Sequence, residues 1–166
     1  MTKDYSLDSV DCRLLELLQR DGRITNQELA RRCGLSPPAC HERVKRLRER
    51  GVIRGYVALI EPKALACDLL VFVEIILERT TADVFKTFSE NVLAIPEVME
   101  CHLIAGRFDY LLKARFADMA GYRDFLESIL ARMHGVRETR TYAVVEEVKN
   151  SPLLPFSTKP VEVAQR

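Results

Sequence analysis

The sequence predicts an α+β protein in which a basic N-terminal part of three helices precedes a part with the element order β-α-β-β-α-β. Apolar residues recur at helical spacing in three short segments before residue 51. After residue 67, strand-like apolar runs alternate with two helical patterns. Charge is also unevenly divided, with 12 Lys/Arg and 8 Asp/Glu in residues 1–60 but 13 and 16 in the remainder. This division indicates two functions, one of which is the binding of an anionic partner.

The first helix is predicted from Leu7, where the apolar residues begin to follow a helical period. Asp8 and Asp11 fall in its first turn, where acids suit the positive end of a helix dipole. Asp21-Gly22 ends the helix as a turn.

The segment GLSPP (34–38) predicts a tight connection between the second and third helices. Thr25 or Asn26 caps the second helix, and Gly34 is its left-handed stop. Ser36 caps the third helix, whose first turn carries the prolines, because a missing N–H costs nothing there. A helix stop followed within two residues by a helix start predicts a helix–turn–helix.

The third helix runs to about Arg50 and has two different faces. Cys40, Val44 and Leu47 form a stripe that should pack inward. The opposite face is then exposed and cationic, and it begins with small side chains at the N-terminus of the helix. A solvated charged helix would look similar, but the tight turn and the small leading residues favour a helix that enters the major groove of DNA. The residues expected at base edges are Pro38, Ala39, Glu42, Arg43 and Arg46, and those expected at phosphates are Ser36, Lys45, Arg48, Arg50 and Arg54.

The second part predicts a ferredoxin-like split βαββαβ unit. Its helices should cover one face of the sheet, which leaves apolar residues on the other face for a second copy of the chain to cover. The predicted elements are a strand at 68–78, a helix at 82–95, strands at 98–106 and 109–117, a helix at 118–133 and a strand at 136–148. The predicted domains are 1–54 (winged helix–turn–helix), 55–67 (hinge strand or linker), 68–150 (ferredoxin-like) and 151–166 (irregular tail).

The turn GRFDY (106–110) is a candidate for a ligand site. A flexible backbone at Gly106 can offer N–H groups to a carboxylate, and Asp109 can accept from an ammonium group. A free amino acid carries both groups. The alternative is that Asp109 only caps its own turn, which is common for Asp at such positions.

Composition narrows the possible functions. No apolar run is long enough to span a bilayer and the N-terminus lacks a signal-peptide core, so we expect a cytoplasmic protein. The five cysteines are scattered, which argues against a disulfide framework and a zinc site, and we expect no cofactor. An enzyme is an alternative, but its nearest reactive pair, Cys101-His102, should point to opposite faces of a strand. A DNA-compacting protein without an effector is a second alternative.

The stretch DGRITNQELARRCGLSPPACHERVKRLRERGVIRGY resembles the helix–turn–helix of the Lrp/AsnC ("feast/famine") transcription factors, and most resembles their leucine-responsive subgroup. LLVFVEIILER, ECHLIAGRFDYLLKAR and TRTYAVVEEVK are similar to the amino-acid-sensing (RAM) domain of that family. The resemblance covers residues 7–150.

This resemblance implies a regulator of amino-acid metabolism that forms homodimers through its sheets and assembles further into octamers or similar rings. It implies that a small apolar amino acid, such as leucine, binds between dimers near the turn that joins the middle strands. Ala143 stands where a valine-like residue is expected, and Arg107 where an acid is expected. The implied effector-binding residues are Leu103, Gly106, Asp109, Met119, Tyr142, Ala143 and Val144.

Overall fold

The computed structural model describes residues 6–79, 81–133 and 135–156. The chain divides into two units. The first comprises the residues up to Ala58 together with the segment from Asn150, and the second comprises Leu59–Lys149. This division places the described part of the C-terminal segment, 150–156, with the helical N-terminal part.

Three helices build the first unit: α1 (Ser9–Arg20), α2 (Asn26–Cys33) and α3 (Pro37–Glu49). The side chains of Asp8, Thr25 and Ser36 accept hydrogen bonds from the first turns of α1, α2 and α3. Gly34 ends α2 with φ 66°, a left-handed conformation that glycine adopts without strain. The helix–turn–helix prediction is therefore confirmed. The core of this unit consists of Leu14, Leu17, Leu18, Leu29, Ala30 and Cys40.

The segment after residue 149 packs on the first unit without forming a regular element in its described part, 150–156. The side chain of Gln19 anchors it through both backbone groups of Leu154. Gln19 Nε2 donates to the Leu154 carbonyl at 2.7 Å, and the Leu154 N–H donates to Gln19 Oε1 at 3.0 Å. The rest of the predicted tail, 157–166, lies outside the described residues.

We expect Gln19→Ala to release this segment while leaving the helices folded. Two exposed hydrogen bonds are lost, which should cost about 1 kcal/mol in total. Hydrogen exchange should show faster exchange of the Leu154 amide and unchanged exchange in α1–α3. Gln27→Ala, at an exposed position on α2, serves as the control and should leave the Leu154 amide unaffected.

The second unit is a four-stranded antiparallel sheet with two helices. Its elements are β1 (Leu69–Leu77), α4 (Ala82–Val92), β2 (Val98–Leu103), β3 (Tyr110–Phe116), α5 (Met119–Arg132) and β4 (Val136–Ala143). The strands lie in the order β2-β3-β1-β4, as expected for a ferredoxin-like βαββαβ unit. The predicted fold class is thus confirmed.

One face of this sheet forms the core with the two helices. Alternate residues of β1 and β3 pack against side chains of α4 and α5, among them Phe88 and Phe125. The opposite face carries partly buried Phe72, Ile76 and Leu111 and the half-exposed Tyr142. The same face also carries the partly buried Glu74, Lys113 and Arg115, so it is only partly apolar, and its pairing with a second copy stays a prediction.

Several elements differ from the predictions, and β2, for example, ends at Leu103 rather than at residue 106. β4 ends at Ala143 rather than Val148, because β1 begins at Leu69 and offers no partner beyond the bond from Val144 N–H to the Leu70 carbonyl. α4 ends at Val92, where the backbone turns before Pro96. Within a single chain, no strand is described in 55–67, where a hinge strand or linker is predicted, and the hinge strand stays a prediction. A strand needs a paired neighbour, and a 3-10 turn at Pro62–Leu65 is the regular element described between α3 and β1.

Candidate DNA-binding and effector sites

The tight turn and the buried stripe of α3 decide which side of the helix is exposed. Ser36 Oγ accepts from the Ala39 N–H at 3.4 Å, and Pro37 occupies the first turn. Cys40 and Leu47 are fully buried, and Val44 packs against the same core, as predicted. Since this stripe faces inward, the opposite arc is presented to solvent.

The exposed arc of α3 brings together a subset of the predicted DNA-binding residues. Pro38, Ala39 and Glu42 lie along it with Lys45 and Arg48, and all five are exposed. Small residues at the beginning and cations in the second half allow a close approach to the polyanionic backbone of a duplex. Arg54 follows the helix, and its side chain borders the same shallow depression as Lys45 and Arg48.

His41 is a residue that sequence reasoning left off the exposed face. The structure places it in solvent, in a depression that it lines with Lys45 and Arg48 and with Asn26 of α2. Its position one turn before Lys45 could have predicted its exposure, because residues four apart share a helix face.

Three predicted DNA contacts, Arg43, Arg46 and Arg50, instead point towards the start of α1. Arg43 Nη1 donates to Asp8 Oδ2 at 2.6 Å and to Asp11 Oδ1 at 2.9 Å. Arg46 makes two longer contacts of 3.4 Å to the Asp11 carboxylate. Arg50 Nη2 donates to the Ser6 carbonyl at 2.8 Å. Arg43 is therefore engaged within the protein, whereas the Arg46 side chain remains half exposed.

These ion pairs shift the pKa values of both partners. Burial alone would raise the pKa of Asp8, but the hydrogen bonds from Arg43 and from the Asp11 N–H outweigh it, and the pKa lies below 3.8. Hydrogen bonds to Asp8 and Asp11 raise the pKa of the Arg43 guanidinium. Both groups are consequently charged at neutral pH, as a persistent ion pair requires.

Two further cations of the first unit are paired within α2. Glu28 accepts from Arg31 Nε at 2.8 Å and from Arg32 Nε at 2.6 Å, and these bonds lower its pKa from 4.5 to about 2. Because the folded pKa is depressed, this pairing is complete above 4.5 and is lost only as the pH falls towards about 2. One carboxylate offsets one of the two arginines, so α2 keeps one net positive charge in addition to the cations of α3 and Arg54.

Asp109 holds the loop between β2 and β3 against the end of β1. Its Oδ2 accepts from the Leu77 N–H at 2.8 Å, and its own N–H donates to the Ile75 carbonyl at 2.9 Å. The carboxylate thus caps a neighbouring strand rather than its own turn. Its second oxygen has no hydrogen-bond partner among the described contacts.

The same loop borders a shallow concavity of about 300 Å³. Gly106 lies in its wall, and a Cβ at that position would approach Ile104 Cγ2 to 3.3 Å. Arg79, Arg107 and Arg137 also line it together with the acids Glu78 and Asp109, so it offers partners for a carboxylate and for an ammonium group.

The seven predicted effector residues lie at opposite ends of the sheet. Leu103 pairs with Tyr110, so Leu103, Gly106 and Asp109 are at the end where β3 begins. Ala143 pairs with Val71 near the start of β1, where β3 finishes, and Tyr142, Val144 and Met119 are at that end as well. Along the strands, Leu103 and Ala143 are four residues of β3 apart (Tyr110 to Ala114), which is roughly 14 Å, and they lie on the opposite edge strands β2 and β4, so that roughly 20 Å separates them in total. One chain therefore does not bring the seven together.

The pair that suggested an enzyme is not arranged for catalysis. Cys101 packs against the core of the second unit, and burial raises the pKa of its thiol. His102 is exposed on the other face, with Nε2 3.0 Å from Glu100 Oε2. Among the residues described, no group of three or more His, Cys, Asp or Glu is placed to hold a metal ion, and no helix is long and apolar enough to cross a membrane.

Two family models match the chain and together span both units. Residues 7–54 match a winged helix-turn-helix DNA-binding model, and residues 70–154 match the Lrp/AsnC ligand binding domain. The chain belongs to the Lrp/AsnC family.

Individual members of the Lrp/AsnC family match over most of their length. The leucine-responsive regulatory proteins of Klebsiella pneumoniae and of Escherichia coli K12 are each 52% identical over 153 residues, which are 92% of this chain and 93% of the relative. An AsnC family regulator from Agrobacterium tumefaciens superposes with a TM-score of 0.85 at 34% identity, over 90% of this chain and 97% of that one.

A transcriptional regulator from Neisseria meningitidis, solved as an L-Met complex, superposes with a TM-score of 0.83 at 37% identity and the same coverage. The family membership makes this chain a DNA-binding transcriptional regulator with a ligand-binding domain. Because its relatives are transcriptional regulators, the enzyme alternative is set aside.

Proposed function

We propose that this Lrp/AsnC regulator binds specific duplex sites through the exposed arc of α3 and that a small apolar amino acid changes its assembly or its DNA affinity. The observation that carries the DNA contact is the exposure of Lys45 and Arg48 beside Pro38 and Ala39, opposite a fully buried stripe. In this arrangement the N-terminal half of α3 reads base edges, and Lys45, Arg48 and Arg54 bind phosphates. Arg46, half exposed, is within reach of a base edge.

The effector is proposed to bind where two copies meet. Two groups of residues about 20 Å apart in one sheet can share one ligand if one copy supplies Leu103, Gly106 and Asp109 and another supplies the remaining four. The arginine-lined concavity beside Gly106 suits the carboxylate of an amino acid, and the second oxygen of Asp109 suits its ammonium. Leucine and methionine are the first candidates, given the leucine-responsive relatives and the L-Met complex.

Dimerisation is proposed through the open face of the sheet, with dimers joining into an octamer or a similar ring. The apolar residues of that face support it. An effector bound between dimers changes DNA affinity only by preferring one assembly state over another. Such a protein would act in the cytoplasm, associated with the nucleoid, and would control amino-acid metabolism.

Binding to the protein's own promoter, measured by footprinting with and without added amino acids, tests the proposal. We expect protection of sites spaced by about one helical turn or its multiples, with a pattern that leucine or methionine changes. Equal affinity for promoter and random duplex at fixed salt, with no effect of any amino acid, would favour a DNA-compacting protein instead.

The variant Asp109→Asn distinguishes two roles of Asp109, which are contact with the effector and anchoring of the loop through the Leu77 N–H. Asparagine keeps an oxygen that can accept from the Leu77 N–H but loses the charge, so we expect an unchanged melting temperature and effector binding weaker by about tenfold or more. Isothermal titration with leucine and methionine measures it. Asp124→Asn, an exposed position on α5, is the charge-matched control. Native affinity in Asp109→Asn, combined with lost affinity in Asp109→Ala, would mean that Asp109 only anchors the loop.

A further inference from the structure

A buried carboxylate lies where α1 meets the recognition helix. Asp11 is 2% exposed and is the one buried charged residue in the described part of the chain. A buried charge is tolerated only when it is paired. Asp11 is paired with Arg43 at 2.9 Å and with Arg46 at 3.4 Å, and both arginines belong to α3.

Asp8 joins the same cluster from the N-cap of α1. One of its carboxylate oxygens accepts from the Asp11 N–H at 2.7 Å, and the other accepts from Arg43 Nη1 at 2.6 Å. The positive end of the α1 dipole stabilises both carboxylates at this place. Arg43 is therefore bound to a fixed point at the start of α1, whereas Arg46 makes only the longer contacts to Asp11 and stays half exposed.

These contacts have two consequences for a helix that binds DNA. Pairs made three residues apart along α3 resist its rotation about its own axis, so the arc with Lys45 and Arg48 stays outward. They also occupy Arg43, a cation that would otherwise attract any phosphate, and phosphate attraction supplies affinity that is independent of sequence.

We infer that Asp8 and Asp11 are positioning residues that raise the sequence discrimination of this regulator by orienting α3 and by withholding Arg43 from nonspecific phosphate contacts. This inference rests on the proposed role of α3 as the DNA-reading helix. In this view, the acids Asp8 and Asp11 determine how well the protein discriminates between sequences, whereas Lys45 and Arg48 supply affinity for any duplex.

Asp8→Asn tests the inference, because asparagine is an equally good N-cap and keeps an oxygen for the Asp11 N–H, while the charge and the oxygen that accepts from Arg43 are lost. Binding is measured by fluorescence anisotropy over a range of salt, on a duplex that the native chain selects from a random pool and on a scrambled duplex. We expect affinity for the scrambled duplex to rise about threefold to tenfold, affinity for the selected duplex to change about twofold or less, and the salt slope on the scrambled duplex to steepen by about one phosphate.

Asp21→Asn is the matched control. Asp21 follows α1 at its other end, where its Oδ1 accepts from the Arg23 N–H at 2.9 Å, and its replacement changes the net charge by the same amount. We expect its ratio of selected to scrambled affinity to equal that of the native chain. Equal ratios in Asp8→Asn and Asp21→Asn would overturn the inference, since net charge alone would then explain the data.

Arg43→Gln provides a second measurement. If Arg43 is held by α1 and does not bind phosphate, the variant discriminates less well than the native chain but keeps the native salt slope. A slope shallower by about one phosphate would overturn the inference. The proposed function fails in a different way, because then the native chain itself would not prefer the selected duplex.

Discussion

Replacing Lys45 and Arg48 together by alanine should weaken binding to every duplex, selected or scrambled, by on the order of tenfold per cation at about 0.1 M salt. Both side chains are exposed on α3, and neither takes part in the pairing with Asp8 and Asp11. Loss of two phosphate contacts per recognition helix should reduce the slope of log affinity against log salt by about two per helix. The melting temperature should not change, because no buried group is altered.

The control for this variant is the double replacement Arg13→Ala and Arg20→Ala. These arginines lie on α1 and pair with Glu16, at 2.8 and 3.0 Å, so the net charge changes equally away from the exposed arc of α3. We expect a small loss of affinity and a nearly native salt slope. Similar slopes in the two double variants would show that α3 is not the element that contacts phosphates.

The helix boundaries of the first unit could be predicted because their determinants are local. A helix cap such as Ser36 and a helix stop such as Gly34 act within a few residues of their own position. They can therefore be recognised from the local sequence alone. The inward stripe of α3 follows in the same way from helix periodicity. The same local information fixes β1 and the two helices of the second unit.

The role of Arg43 could not be predicted from local patterns. Its partners, Asp8 and Asp11, lie 35 and 32 residues earlier in the chain, and their place beside α3 depends on how α1 packs. A helical projection identifies Arg43 as a flanking cation but does not say whether DNA or another helix faces it. The helix dipole explains why acids stand at the start of α1, but it does not predict that they pair with Arg43.

The effector residues illustrate a different limit. The turn GRFDY suggests Gly106 and Asp109, but the full set of seven is implied by the family resemblance. A resemblance names the residues of a site without giving their geometry. The strand order β2-β3-β1-β4 and its register place Leu103 and Ala143 at opposite ends of one sheet. The proposed site draws on both ends, so another copy would have to complete it, and its geometry would depend on an assembly that no single sequence displays.

Leu14→Ala should remove DNA binding by a different route, through loss of the fold of the first unit. Leu14 is fully buried among the apolar residues of all three helices. Truncating a buried leucine to alanine costs about 2.7–5 kcal/mol, a large part of the roughly 5–15 kcal/mol that stabilises a typical domain. We expect a lower midpoint in urea and little DNA binding at 37 °C, with partial recovery on cooling to about 15 °C.

Hydrogen exchange distinguishes this route from the loss of a phosphate contact. In Leu14→Ala, amides of α1–α3 should exchange faster while those of β1–β4 keep their protection, because the two units have separate cores. Leu15→Ala, at the next and only partly buried position, should have a smaller effect. Equal loss of protection in the sheet would mean that the units unfold together. In that case effector binding would disappear along with DNA binding, whereas independent unfolding leaves the effector site intact.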